Sequence, residues 1–113
     1  MEVEQGELVL CEFYFSDLGA SKRRPVIVFR DNLPFDDFVG IPVSSKINML
    51  HHDEFLLESE HIVEGSLPKV SKVMVRKTLV ISKNVITKKY GKLTPERLHK
   101  LHADFCRYFE CCD

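Results

Sequence analysis

Pro25-Val26-Ile27-Val28-Phe29, the break Asp31-Asn32-Leu33-Pro34 and the run Phe38-Val39-Gly40-Ile41-Pro42-Val43 decide the fold class. The first run is nearly all β-branched or aromatic, and such side chains fit a pleated surface better than a helix. It is too short for a buried helix and is closed by turn-forming residues, so it reads as a strand. Pro25 suits a strand's first position, where no ladder N–H is needed. The second run reads as a strand bent or weakened at Gly40 and Pro42.

Working outward, Leu8-Val9-Leu10-Cys11-Glu12-Phe13 after Gly6 reads as an earlier strand, and residues 16–24 as a polar loop of small residues. Further on, Glu54-Phe55-Leu56-Leu57, Lys72-Val73-Met74-Val75 and Thr78-Leu79-Val80-Ile81 are three more short strands. Strands this short and frequent, with few helices between them, predict a mostly β fold, a small antiparallel barrel. The tail differs. Thr94 is a good N-cap, Pro95 suits the first helical position and Glu96 favours the positive helix end. Leu98, Leu101, Phe105 and Phe109 recur at spacings of three and four, which predicts a C-terminal helix of about four turns packed on the barrel.

A length of 113 residues favours one domain, and 44% hydrophobic with 29% charged residues is globular rather than disordered composition. No apolar run approaches the roughly 18 residues of a membrane span. The acidic Met1-Glu2-Val3-Glu4-Gln5 lacks the features of a signal peptide, so the expected location is the cytoplasm. Cys11, Cys106, Cys111 and Cys112 show no metal-ligand spacing and read as thiols. Residues 1–65 carry 5 basic and 13 acidic side chains, whereas residues 66–113 carry 11 and 4. This asymmetry fits either a basic face for an anionic partner or halves whose charges pair within the fold. His51-His52-Asp53-Glu54 reads as part of a solvated loop within the least ordered segment, residues 48–65, and His99 and His102 as helix-surface residues beside the apolar stripe.

Several pieces, in order, carry a resemblance. They are Gly6-Glu7-Leu8-Val9-Leu10, then Phe15-Ser16-Asp17-Leu18, Ser21-Lys22-Arg23-Arg24-Pro25-Val26-Ile27-Val28, Ile41-Pro42-Val43-Ser44-Ser45, residues 71–81 and Lys89-Tyr90-Gly91-Lys92-Leu93-Thr94. Together they resemble the PemK/MazF-like toxin family over residues 6–109. The resemblance implies an SH3-like barrel with a C-terminal helix, assembled as a homodimer. It implies metal-independent cleavage of single-stranded RNA and neutralisation by an acidic antitoxin protein, with operator DNA bound only through the antitoxin complex. It implies no cofactor, no metal and no membrane partner.

Metal-free RNA cleavage can use the substrate's own 2′-hydroxyl, leaving a 2′,3′-cyclic phosphate and a 5′-hydroxyl. The enzyme must assist proton transfer and stabilise a dianionic, phosphorane-like transition state, a task suited to arginine's planar fork. The resemblance assigns the catalytic positions to Arg24 and Ser44. Without it, Arg24 is a solvated surface arginine and Ser44 a strand-end serine bonded to nearby backbone. Ser45 takes the role if the register slips by one. Lys22, Arg23, Arg76 and Lys77 are candidates for gripping RNA phosphates. Phe15, Phe35 and Phe38 are candidate stacking rings, with core packing the expected role of Phe38. Some family members have an Asp in the stretch that here reads Val75-Arg76-Lys77-Thr78. With no carboxylate there, the general base is either Asp17 or no side chain at all. That gap also leaves open a non-catalytic barrel that binds a protein target, as gyrase-poisoning toxins do, or nucleic acid without cutting it.

Overall fold

The computed structural model describes residues 1–15, 17 and 19–111, without the side chain of Phe15. Eight strands precede one helix: β1 Glu7–Phe15, β2 Ala20–Leu33, β3 Asp37–Ser44, β4 Glu54–Leu57, β5 Ile62–Val63, β6 Ser71–Met74, β7 Leu79–Ser82, β8 Ile86–Leu93 and α1 Pro95–Phe109. All pairings are antiparallel, in the order β4-β6-β3-β2-β1-β8-β5, with β7 also on β3. This is the mostly β barrel with a C-terminal helix that the sequence predicts.

The apolar run at residues 26–29 is continuous because β2 is covered on both faces. Leu8, Ile27, Phe29, Ile41 and Val43 join a core shared with Leu57, Val73, Val75 and Leu101 of α1. Val9, Cys11, Val26, Val28 and Phe38 face the opposite way, onto Val3, Ile81 and Ile86. The period-two alternation of strand side chains sorts neighbours between the two cores. Burial pushes the Cys11 thiol up to about 11. Gly40 sits where the second core is tightest. A Cβ there would overlap Val26 Cγ1 and lie 2.7 Å from Ile81 Cδ1.

β3 changes partners along its length. Residues 37–40 pair with β7, and Val43 and Ser44 pair with β6. Pro42, which has no N–H to donate, lies at the switch. The end of β3 therefore turns away toward β4 and β6, and Ser44 is carried to the corner between the two parts of the barrel.

The structure revises three expectations. Residues 20–24 are not loop: β1 and β2 pair as far as Phe15↔Ala20, so Lys22, Arg23 and Arg24 lie on a long hairpin arm and Pro25 is interior to β2, opposite Leu10. Residues 48–65 are more ordered than expected: beside the expected strand Glu54–Leu57, they hold a 3₁₀ turn and β5, because Ile62–Val63 pairs with β8. Finally, the helix begins as expected, with Thr94 Oγ1 accepting from the Arg97 N–H at 3.2 Å. Its fully buried stripe is Arg97, Leu101 and Asp104, however, whereas Phe109 is exposed. The sequence reading also missed β8, whose Lys88-Lys89-Tyr90 core lacks an apolar alternation. Among the described residues no helix is long and apolar enough to cross a membrane.

Candidate active site

Two clefts meet at the corner where β2 and β3 end their pairing. The larger, about 660 Å³, is lined by Arg24, Ser44, Lys46, His51, Glu54, Lys72, Arg76 and Lys77, with Phe13, Tyr14, Met74 and Leu79 on its apolar side. The smaller, about 220 Å³, is lined by Arg23, Ser45, Lys69 and Tyr90 among others, and again by Arg24, Ser44 and Lys46. The last β2–β3 pair is Val26↔Pro42. Beyond that pair β3 turns to β6, with Ser44 opposite Lys72, while β2 stays on β1, with Arg24 opposite Cys11. The two residues flank the end of the β2–β3 pairing, and both line both clefts.

The states of the two side chains differ. Arg24 is exposed and makes no hydrogen bond or ion pair among the described residues. Ser44 Oγ accepts from the Lys46 N–H at 3.2 Å. That bond uses a lone pair and leaves the hydroxyl proton free to be donated. The expected strand-end bond to backbone is therefore present, and it keeps Ser44 available as a donor.

The floor of the larger cleft is a buried ionic network that the sequence reading missed. Asp53 and Glu54, expected in a solvated loop, have side chains 3% and 1% exposed. Arg76 Nη1 donates to both Asp53 oxygens, at 2.7 and 2.9 Å, and its Nη2 lies 3.7 Å from Glu54 Oε2. Lys72 Nζ donates to Glu54 Oε1 and to the Met49 carbonyl, each at 3.0 Å. Burial alone would raise the Glu54 carboxyl, but the His51 N–H bond and Lys72 hold it below the usual carboxylate range. The carboxylates absent from residues 75–78 thus arrive from the start of β4, across the β4–β6 pairing that sets Glu54 against Met74. Their signal in the sequence is an acidic pair at a strand start facing Lys72 and Arg76, visible only once those strands are paired.

This network neutralises Lys72 and Arg76, so Arg76 is first a partner of Asp53 and only then a surface cation. The free positive charge in the clefts belongs to Arg24, Lys46, Lys77 and Lys69, none of which has an ion pair among the described residues. Arg23 lies 3.9 Å from Glu12 with its side chain 65% exposed.

The remaining sequence candidates separate. Ser45 and Arg23 line only the smaller cleft, Lys77 and Arg76 only the larger. Lys22 and Asp17 are exposed and line neither. Phe38 is fully buried, as expected, and Phe35 is 94% exposed on a turn away from both clefts. The Phe15 ring lies outside the described residues. Tyr14, 70% exposed and lining the larger cleft, is the aromatic that the sequence reading passed over.

A family model described as "PemK-like, MazF-like toxin of type II toxin-antitoxin system" matches residues 4–109. The chain belongs to this family. The PemK/MazF assignment agrees with the architecture, since two solved structures share it. One is described as an endoribonuclease in complex with its cognate antitoxin from a mycobacterial species: 11% identity, TM-score 0.69, covering 94% of this chain and 91% of that one. The other is the Mycobacterium tuberculosis toxin MazF-mt6: 16% identity, TM-score 0.69, covering 92% and 96%. At such identities the likeness establishes the fold alone. No curated protein sequence matches this PemK/MazF-family chain.

Proposed function

We propose that this chain is the toxin of a type II toxin–antitoxin pair and a metal-independent endoribonuclease that cuts single-stranded mRNA through the 2′-hydroxyl. The observation that supports this most is the meeting of an unpaired Arg24 guanidinium and the free Ser44 hydroxyl proton at the shared edge of two clefts. Arg24 places its charge where the phosphorane-like transition state accumulates negative charge. Ser44 donates its free hydroxyl proton to a non-bridging phosphate oxygen. Lys46 and Lys77 draw the strand in by its phosphates, and Tyr14 offers a ring face to a base.

Proton removal from the 2′-hydroxyl falls to His51. It lines the larger cleft, its backbone is pinned by the 2.9 Å bond to Glu54 Oε1, and imidazole is the side chain suited to proton exchange near neutral pH. Glu54 is ill suited to the task because two donors already hold its Oε1. The same free cations suit an acidic antitoxin segment that would shield the clefts. The working form in this proposal is a cytoplasmic homodimer.

The test is incubation with a long single-stranded RNA in EDTA. The expected result is discrete fragments with 5′-hydroxyl and 2′,3′-cyclic phosphate ends, lost in a folded Arg24→Ala variant. Cleavage by that variant at the wild-type rate would rule out the assigned chemistry. Tight binding with no cut by the wild type would make the protein a non-catalytic binder.

A further inference from the structure

The smaller cleft is built from different parts of the chain than the larger one. Its outer wall is the connection between β5 and β6, where Leu67, Pro68 and Lys69 face Tyr90 of β8. That connection is tied to β8. Ser66 N–H donates to the Tyr90 carbonyl at 2.9 Å, and Gly65, at φ +151°, lies so close that a Cβ would overlap the Tyr90 carbonyl oxygen. Only glycine permits this approach. The wall is thus a shaped surface with an apolar side of Leu67, Pro68 and the Tyr90 ring, beside the free Lys69 ammonium.

Arg24, Ser44 and Lys46 belong to both clefts, so a polymer whose phosphate rests on the Arg24–Ser44 pair has a concavity on either side of that phosphate. We infer that the smaller cleft is a nucleotide subsite for the RNA strand, adjacent to the scissile phosphate and opposite the nucleotides held in the larger cleft. The flanking base packs on Tyr90 and Pro68, and its outer phosphate meets Lys69. The volume of about 220 Å³ suits one nucleotide rather than a run of them, and a ring face among cations, Lys69 on the outer wall and Arg23, Arg24 and Lys46 also lining the cleft, matches how single strands are held. The inference rests on the nuclease reading for the identity of the polymer.

The test uses a fluorescent oligonucleotide made uncleavable by a 2′-deoxy sugar at the cut position, so binding is read whether or not the RNA form is cut. The cut position comes from the RNA-end mapping above or, if no cut occurs, from the oligonucleotide's photo-cross-link to Arg24. Affinity is measured for wild type, Lys69→Ala and Tyr90→Leu, with thermal melts of each. For the full oligonucleotide, each substitution is expected to weaken binding by about tenfold. For an oligonucleotide shortened on one side of the cut position, either 5′ or 3′, wild type and variants should bind alike. Unchanged affinity for the full oligonucleotide, or the same loss on both shortened forms, would overturn the subsite. Lys69 is an exposed loop residue, so its variant keeps the test decisive if Tyr90→Leu fails to fold. Failure of the nuclease reading shows separately, as an intact ribonucleotide version.

Discussion

Replacing Arg76 with Leu isolates the buried network under the larger cleft. The guanidinium makes two hydrogen bonds to Asp53, and its loss leaves that carboxylate 3% exposed with no counter-charge. Breaking a buried pair from one side costs about 3–5 kcal/mol, because the remaining charge is stranded away from water. The Arg76 side chain is 37% exposed, so water reaches the vacated space and the lower end applies, about 3 kcal/mol. For a chain of this length that corresponds to a fall in Tm of about 12 °C. Asp53→Asn should cost less, about 1.5 kcal/mol, because Arg76 can turn to water and to Glu54. The double variant removes the stranded charge altogether, and its cost should fall short of the two single costs combined by about 2 kcal/mol. Guanidinium unfolding followed by circular dichroism measures all three. Additivity within about 0.5 kcal/mol would show that the pair carries no coupling and that the network is only a surface arrangement.

Other outcomes follow from the same geometry. Glu54 has a depressed pKa, so its contribution is present above the ordinary carboxylate value near ~4.3 and is lost as pH falls through the folded value. Urea midpoints between pH 3 and 7 should therefore show a shallower acid limb in Glu54→Gln than in wild type, and parallel curves would refute this. Asp53→Asn, despite its stability cost, should tighten binding of an uncleavable oligonucleotide at low salt by freeing Arg76, with a steeper dependence on salt read by fluorescence anisotropy. His51→Ala should lower cleavage by about 10²-fold or more, with oligonucleotide affinity little changed. Gly65→Ala should cost about 2 kcal/mol or more in thermal melts, because neither its φ nor the Tyr90 carbonyl accommodates a methyl group.

The barrel was legible in the sequence because its strands announce themselves. Residues 26–29 are apolar on both faces, residues 38–43 are strand formers bent around Gly40 and Pro42, and the helix carries its own cap at Thr94. β8 was not legible, since Lys88 and Lys89 face outward and its pairing with β1 is interrupted by register shifts. Of the site, Arg24 and Ser44 were accessible through motif resemblance, and their convergence could be known only from where the β2–β3 pairing ends. Asp53, Glu54 and Lys72 escaped because polar residues near a loop look solvated until a partner strand is placed against them. Their burial is a tertiary property, created when β4 pairs with β6 and sets acid against base.

The corner that carries Arg24 and Ser44 is the continuation of strands covered on both sides. Amide hydrogens of Val26, Val28 and Ile41 should accordingly exchange only when the whole sheet opens, whereas those of residues 45–52 exchange through small local fluctuations. Arg24 and Ser44 are thus mounted beside the slowest-opening strands, whereas Lys46 and His51 sit on the segment that opens locally. On the proposed nuclease reading, inactivation by loosening these strands would cost the whole sheet, which favours silencing by something laid across the clefts.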